Sequence, residues 1–126
     1  MNNNALLKAV LLIGCAIFSC DSFAGAATTQ AIAKILVSVK HLPSAADASA
    51  LGAIVADTAS SADEKTVAQA VLNLKHVASA EDKTKLQAIV DNAAAAPGVK
   101  ALASAVLGFQ HMLPADSPVN AIANAK

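Results

Sequence analysis

Apolar residues recur along the chain with the spacing of helices that bury one face. In three stretches they occupy positions i, i+3, i+4 and i+7, which lie on the same side of an α-helix. These positions are Ile32, Ile35, Leu36 and Val39, then Val67, Ala70, Val71 and Leu74, then Leu102, Ala105, Val106 and Phe109. Shorter apolar sets lie between and after them, namely Leu51, Ile54 and Val55, then Leu86, Ile89 and Val90, then Val119 and Ile122. The pattern predicts an all-α domain of about six short helices.

The apolar stretches repeat at an offset of 35 residues. Residues 40–59 match residues 75–94 at ten of twenty positions, and residues 65–77 match residues 100–112 at six of thirteen. A fixed period of this size is typical of helical repeat proteins. We therefore expect three antiparallel helix hairpins, packed as a compact bundle or a short α-solenoid, with a shortened third copy as a terminal cap.

Helix starts carry a recognisable signal. A serine oxygen can accept a hydrogen bond from an unpaired backbone amide, and an acid three residues later lies near the positive end of the helix dipole. The pairs with this spacing are Ser44 with Asp47, Ser61 with Glu64, and Ser79 with Asp82. Pro97 and Pro118 suit the first turns of the fifth and sixth helices.

The first 24 residues have the layout of a secretory signal peptide. A polar start with one positive charge at Lys8 precedes an apolar stretch, Ala9–Phe18, and then a short polar region. The apolar stretch is shorter than the roughly 20 residues that span a bilayer. We therefore predict a signal peptide over residues 1–24 and a single Ala-rich helical domain over residues 25–126.

Two kinds of processing fit this segment. Ordinary cleavage would use the small residues of Ser22-Phe23-Ala24 or of Ala24-Gly25-Ala26 and would release a chain without cysteine. Alternatively, the residues before Cys15 and before Cys20 resemble a bacterial lipobox, in which the cysteine becomes the lipidated first residue. The first alternative predicts a secreted or periplasmic protein, and the second predicts a protein that is lipid-anchored in the cell envelope.

Composition excludes several classes of partner. All nine basic residues are lysine, and residues 25–126 contain eight basic and eight acidic groups, so no excess charge favours nucleic acid or an anionic membrane. The only aromatic ring of the Phe, Tyr and Trp type after residue 24 is Phe109, which makes stacking on bases or sugars a poor hypothesis. Alanine fills 28 of these 102 positions, which favours closely packed helices.

The three histidines of the chain, His41, His76 and His111, occupy equivalent positions of the repeat. One interpretation places them in the last turn of each first helix, where the negative end of the helix dipole favours them. A second interpretation aligns them into a row that binds a transition metal or responds to pH. Because helix axes pack about 8 to 10 Å apart, we expect equivalent residues to be too far apart to share a metal unless the bundle converges at that end.

No pattern in the sequence indicates an enzyme. Acid pairs such as Asp63-Glu64 are explained by helix capping, and no nucleophile turn or phosphate-binding glycine loop is present. We expect no catalytic residues and no cofactor. The sequence instead predicts an exported, non-enzymatic helical-repeat protein that binds another macromolecule, most simply a protein or a second copy of itself, or that gives structural support.

Overall fold

The computed structural model describes residues 25–126, which fold into a compact arrangement of six helices. The helices are α1 (residues 25–38), α2 (Ala45–Ala56), α3 (Ala62–Leu72), α4 (Ala80–Asp91), α5 (Pro97–Leu107) and α6 (Pro118–Ala123). These residues contain no β-strand, which confirms the all-α prediction. The predicted signal peptide and both candidate lipidation residues, Cys15 and Cys20, lie outside the described residues.

The predicted helix starts are confirmed. At Ser44 and Ser61, the serine side chain accepts a hydrogen bond from the backbone amide of the acid three residues later, and the side chain of that acid accepts one from the serine amide. Ser79 accepts a hydrogen bond from the backbone amide of Asp82. Pro97 and Pro118 each occupy the first turn of a helix. The serine and acid side chains accept hydrogen bonds from amides that a helix start would otherwise leave unpaired, and proline has no amide hydrogen to pair.

The core is formed mainly by the apolar faces of α1, α3 and α5. Its fully buried large residues include Ile32, Leu36, Val67, Val71, Leu74, Leu102, Val106 and Phe109. Ala33, Ala68 and Ala103, which are also 35 residues apart, are completely buried as well. Alanine at these positions gives the three helices room to approach one another closely.

The helix pairs differ from the predicted hairpins. Among α2 to α6, the most extensive packing joins α2 to α3 and α4 to α5, whereas α3 with α4 and α5 with α6 pack less extensively. The principal pairs therefore cross the boundaries between the repeat units. The connections explain this difference, because residues 57–61 and 92–96 form short links, while residues 73–79 and 108–117 form longer loops.

The two ends of the described chain meet. The side chain of Gln30 in α1 donates a hydrogen bond to the backbone carbonyl of Ala125, after α6. A backbone hydrogen bond from His41 to His111 also joins the loop after α1 to the loop after α5. The helices therefore close on themselves, and of the two predicted arrangements the compact bundle is the one observed.

Candidate metal centre

Each histidine lies at the centre of a tight turn beyond the end of a helix, not in the last helical turn as predicted. After α3, for example, Asn73 caps the helix and His76 follows three residues later. Positions 40 and 42 form an isolated bridge, as do 75 and 77, and 110 and 112. The interpretation that places the imidazoles beside the helix dipole is therefore wrong for this structure, because the backbone leaves the helix before each histidine.

The turns have a strained backbone. The φ angles of His41, His76 and His111 are 77°, 70° and 70°, and no other non-glycine residue among those described has a positive φ. In the first and third turns, the amide after the histidine donates to the carbonyl before it, over 3.0 and 2.8 Å. A positive φ combined with this hydrogen bond defines a γ-turn that is rare and strained.

The same strained backbone conformation occurs at three equivalent positions, which indicates a functional role. A non-glycine residue with positive φ costs about 1 to 3 kcal/mol and persists where the surrounding structure imposes it. Glycine would adopt the same backbone without this cost. Histidine nevertheless occupies all three turns, which points to a use for its side chain.

A cycle of backbone hydrogen bonds joins the three turns. The N–H of His41 donates to the carbonyl of His111 over 2.8 Å, the N–H of His76 donates to His41 over 2.8 Å, and the N–H of His111 donates to His76 over 3.2 Å. Each histidine therefore donates to one neighbour and accepts from the other. The cycle fixes the three backbones next to one another at one end of the bundle.

The imidazole rings form a cluster above this cycle. Their centroids are 5.3, 5.3 and 5.4 Å apart, and the planes of neighbouring rings meet at 61° to 71°. One nitrogen from each ring can be chosen so that all three lie within 4.8 Å of one another. The expectation that the histidines are too far apart to share a metal is thus wrong, because the bundle converges at this end.

The spacing of the nitrogens suits a metal ion. The Nδ1 atoms of His41 and His111 are 3.2 Å apart. With metal–nitrogen bonds of about 2.0 to 2.1 Å, two ligands of a tetrahedral ion lie about 3.3 Å apart, and adjacent ligands of an octahedral ion about 3.0 Å apart. The separation of this pair falls between these values, and the third nitrogen lies within 4.8 Å of both, so it would have to move closer by at most about 2 Å to share the ion.

The cluster is open to solvent, and an exposed apolar residue follows each of its histidines in the chain. All three histidines are exposed. The residue after each one is a large apolar side chain that is also exposed, Leu42 by 58%, Val77 by 45% and Met112 by 60%. We call these three residues the apolar collar. Among residues 25–126, no carboxylate hydrogen-bonds an imidazole, and the side-chain hydrogen bond in the cluster joins Nδ1 of His41 to Nδ1 of His111.

The opposite end of the bundle contains a second group of polar residues. Glu64 is only 2% exposed, and its two carboxylate oxygens accept hydrogen bonds from the Thr29 hydroxyl and the Ser61 amide, over 3.0 and 2.9 Å. These residues line an open cavity of about 1070 Å³, together with Ser60, whose buried hydroxyl has no hydrogen-bond partner in the described structure. Glu64 links α1 to α3 and caps α3, which accounts for its burial.

Comparison with protein-family models, with curated proteins and with solved structures finds no match. None of the helices within residues 25–126 is both long enough and apolar enough to cross a membrane.

The sequence contained part of the information for this site. Recurrence of histidine at one position of the predicted repeat identified the three residues as candidate metal ligands. Two features were missed, namely the strained turns and the apolar collar. The collar had a signal, since Leu42, Val77 and Met112 lie next to the histidines and outside the predicted helical faces.

Proposed function

We propose that this chain is an exported helical protein that binds a divalent transition-metal ion through His41, His76 and His111. The observation that carries the proposal is the convergence of three imidazoles on three strained turns, with ligand nitrogens within 4.8 Å of one another. Neutral imidazole is a good ligand for zinc, copper, iron and nickel. A cluster of three such groups on a rigid backbone loses little conformational entropy on binding a metal.

Metal titration of the chain that begins at Gly25 tests the proposal. We expect the protein, stripped with EDTA, to take up Co²⁺ and to develop the visible absorption of a nitrogen-ligated ion, and we expect Zn²⁺ to displace it. In the H76G variant, glycine can still adopt the positive φ of the turn, but one ligand is removed. Its affinity for Co²⁺ should therefore fall at least about tenfold. A matched control, Q87A on the exposed surface of α4, should bind as the wild type does. Equal binding by H76G and the wild type would overturn the proposal.

Export is proposed from the layout of residues 1–24. Cleavage after Ala24 would leave all six described helices complete, and cleavage after Ala26 would remove two residues from α1. The favoured location is the periplasm or the exterior, and the alternative is a lipid anchor at Cys20 or Cys15.

Binding of a macromolecule is the second candidate function. The apolar collar favours it, since three of the four exposed large hydrophobic residues of the described chain lie beside the histidines. The chain would then act as a non-enzymatic binding or structural protein whose contact surface includes the metal. A pull-down from envelope extracts, with and without EDTA and with the collar variant L42S/M112S as the control, tests this candidate.

A further inference from the structure

Three imidazoles do not complete the coordination of a six-coordinate ion. An octahedral ion presents two opposite triangular faces, and one histidine cluster can occupy only one of them. The cluster lies at the exposed end of the bundle, so the other face of such an ion points away from the chain. Its remaining ligands must come from water or from another molecule.

The apolar collar favours another molecule over water as the source of the remaining ligands. Leu42, Val77 and Met112 are roughly half exposed or more, and they follow the three ligands directly in sequence. Water as the remaining ligand would leave these side chains exposed. A macromolecule that covered the metal would bury them, which is favourable for apolar surface.

We infer that a second copy of this chain supplies the opposite face, so that one six-coordinate ion joins two chains through six imidazoles. This inference depends on the proposed metal function. The same cluster of three nitrogens that fits one triangular face also fits the other, and the two collars then meet around the ion. A twofold contact in which each copy uses the same surface is the commonest way for identical chains to pair.

The contact requires the metal. The collar contributes three side chains from each copy, whereas standard protein interfaces use about 20 to 30 residues a side. Apolar contact alone is therefore too small to hold the dimer. The residues before the first two histidines, Lys40 and Lys75, add like charges near the contact in both copies. Repulsion between them is screened by salt, so dimerisation should strengthen as ionic strength rises.

Sedimentation of the chain that begins at Gly25 tests the inference, with Ni²⁺ as the probe. We expect a monomer in EDTA, a dimer at half an equivalent of Ni²⁺, and a return toward monomers with one ion each when Ni²⁺ is in large excess. Zn²⁺, which favours four ligands in structural sites, should give less dimer. A monomer with one bound ion at half-equivalent loading would overturn the inference and leave the proposed metal function intact.

The L42S/M112S variant tests the role of the collar while leaving the three histidines unchanged. In excess Ni²⁺ we expect it to bind one ion per chain as the wild type does, and at half an equivalent of Ni²⁺ we expect it to dimerise at least about tenfold more weakly. The H76G variant should bind Ni²⁺ at least about tenfold more weakly and should not dimerise at half an equivalent of Ni²⁺. Undiminished dimerisation of L42S/M112S would show that the collar does not form the contact, and a dimer that persists in EDTA would contradict bridging by the metal. Absence of Ni²⁺ uptake by the wild type would overturn both proposals.

Discussion

The backbone amide of His41 donates to the carbonyl of His111 over 2.8 Å, although 70 residues separate them in the chain. This bond completes the cycle in which His76 is the third member. It holds the loop after α1 against the loop after α5 and so places the first and last imidazoles 5.3 Å apart between centroids. The histidine cluster and the closure of the bundle therefore depend on the same residues.

Replacing His76 should distinguish the free-energy cost of its positive φ from any contribution of its imidazole to stability. H76G should raise the apo protein's free energy of unfolding by about 1 kcal/mol, because relief of about 1 to 3 kcal/mol of strain exceeds the entropic cost of glycine. H76A retains the positive φ and should be less stable than H76G by about 1 to 2 kcal/mol. Urea unfolding in EDTA measures both. A less stable H76G would mean that the imidazole itself supports the apo fold.

Removing the charge of Glu64 should destabilise the bundle. In E64Q, an amide replaces a buried carboxylate that accepts bonds from Thr29 and Ser61. Leaving one of these buried groups unpaired costs about 1 to 3 kcal/mol, and each kcal/mol lowers the Tm by about 4 to 8 °C at this size. Thermal unfolding monitored by circular dichroism measures the change.

The matched control for E64Q is E81Q. Glu81 pairs with Lys85 at 2.7 Å on the surface of α4, and this hydrogen bond together with the charge of Glu81 raises the pKa of Lys85. Any stability from a raised lysine pKa is present at neutral pH and is lost as the pH rises through that pKa. Because the pair is exposed to solvent, E81Q should leave the Tm unchanged. Equal losses in E64Q and E81Q would contradict a special role for the buried carboxylate.

Truncating Phe109 should damage both the core and the metal centre. Its ring is 1% exposed, and it lies two residues before His111. F109A should cost about 3 to 5 kcal/mol, because it leaves a cavity in the core. F109L, which retains most of the volume, should cost far less and should bind Co²⁺ normally. Combined urea unfolding and Co²⁺ titration test this, and a normally stable F109A would contradict the assigned core.

Acid should release the metal. Each imidazole must be neutral to bind, so protons compete with the ion at up to three sites, and affinity falls as the pH falls. Competition with a chelator at about pH 7.5 and about pH 5.5 spans the range in which histidine changes charge. Affinity that does not change between these conditions would exclude the histidines as the ligands.

The mass of the protein isolated from its native cells should identify its first residue. Ordinary signal-peptide cleavage predicts a chain that begins at Gly25 or Ala27 and contains no cysteine. Lipidation instead predicts a chain that begins at Cys20 or Cys15 and carries acyl groups. A chain that retains Met1 would contradict export by either route.

Local patterns in the sequence determined the helices and their buried faces. The apolar positions of α1, α3 and α5 are buried or half-buried as predicted, and the serine caps lie where a serine precedes an acid by three residues. These features depend on residues within one or two helical turns of each other. Periodicity and capping chemistry therefore suffice to predict them.

The tertiary structure alone decided that the bundle closes and that the histidines meet. The spacing of equivalent residues in a repeat depends on how neighbouring units rotate, and the completely buried Ala33, Ala68 and Ala103 mark where α1, α3 and α5 come together. The positive φ of each histidine likewise depends on hydrogen bonds to turns 35 or 70 residues away. The sequence by itself indicated His41, His76 and His111 as candidate ligands, and long-range packing decided that they form one cluster, because contacts between distant turns leave no local pattern in the chain.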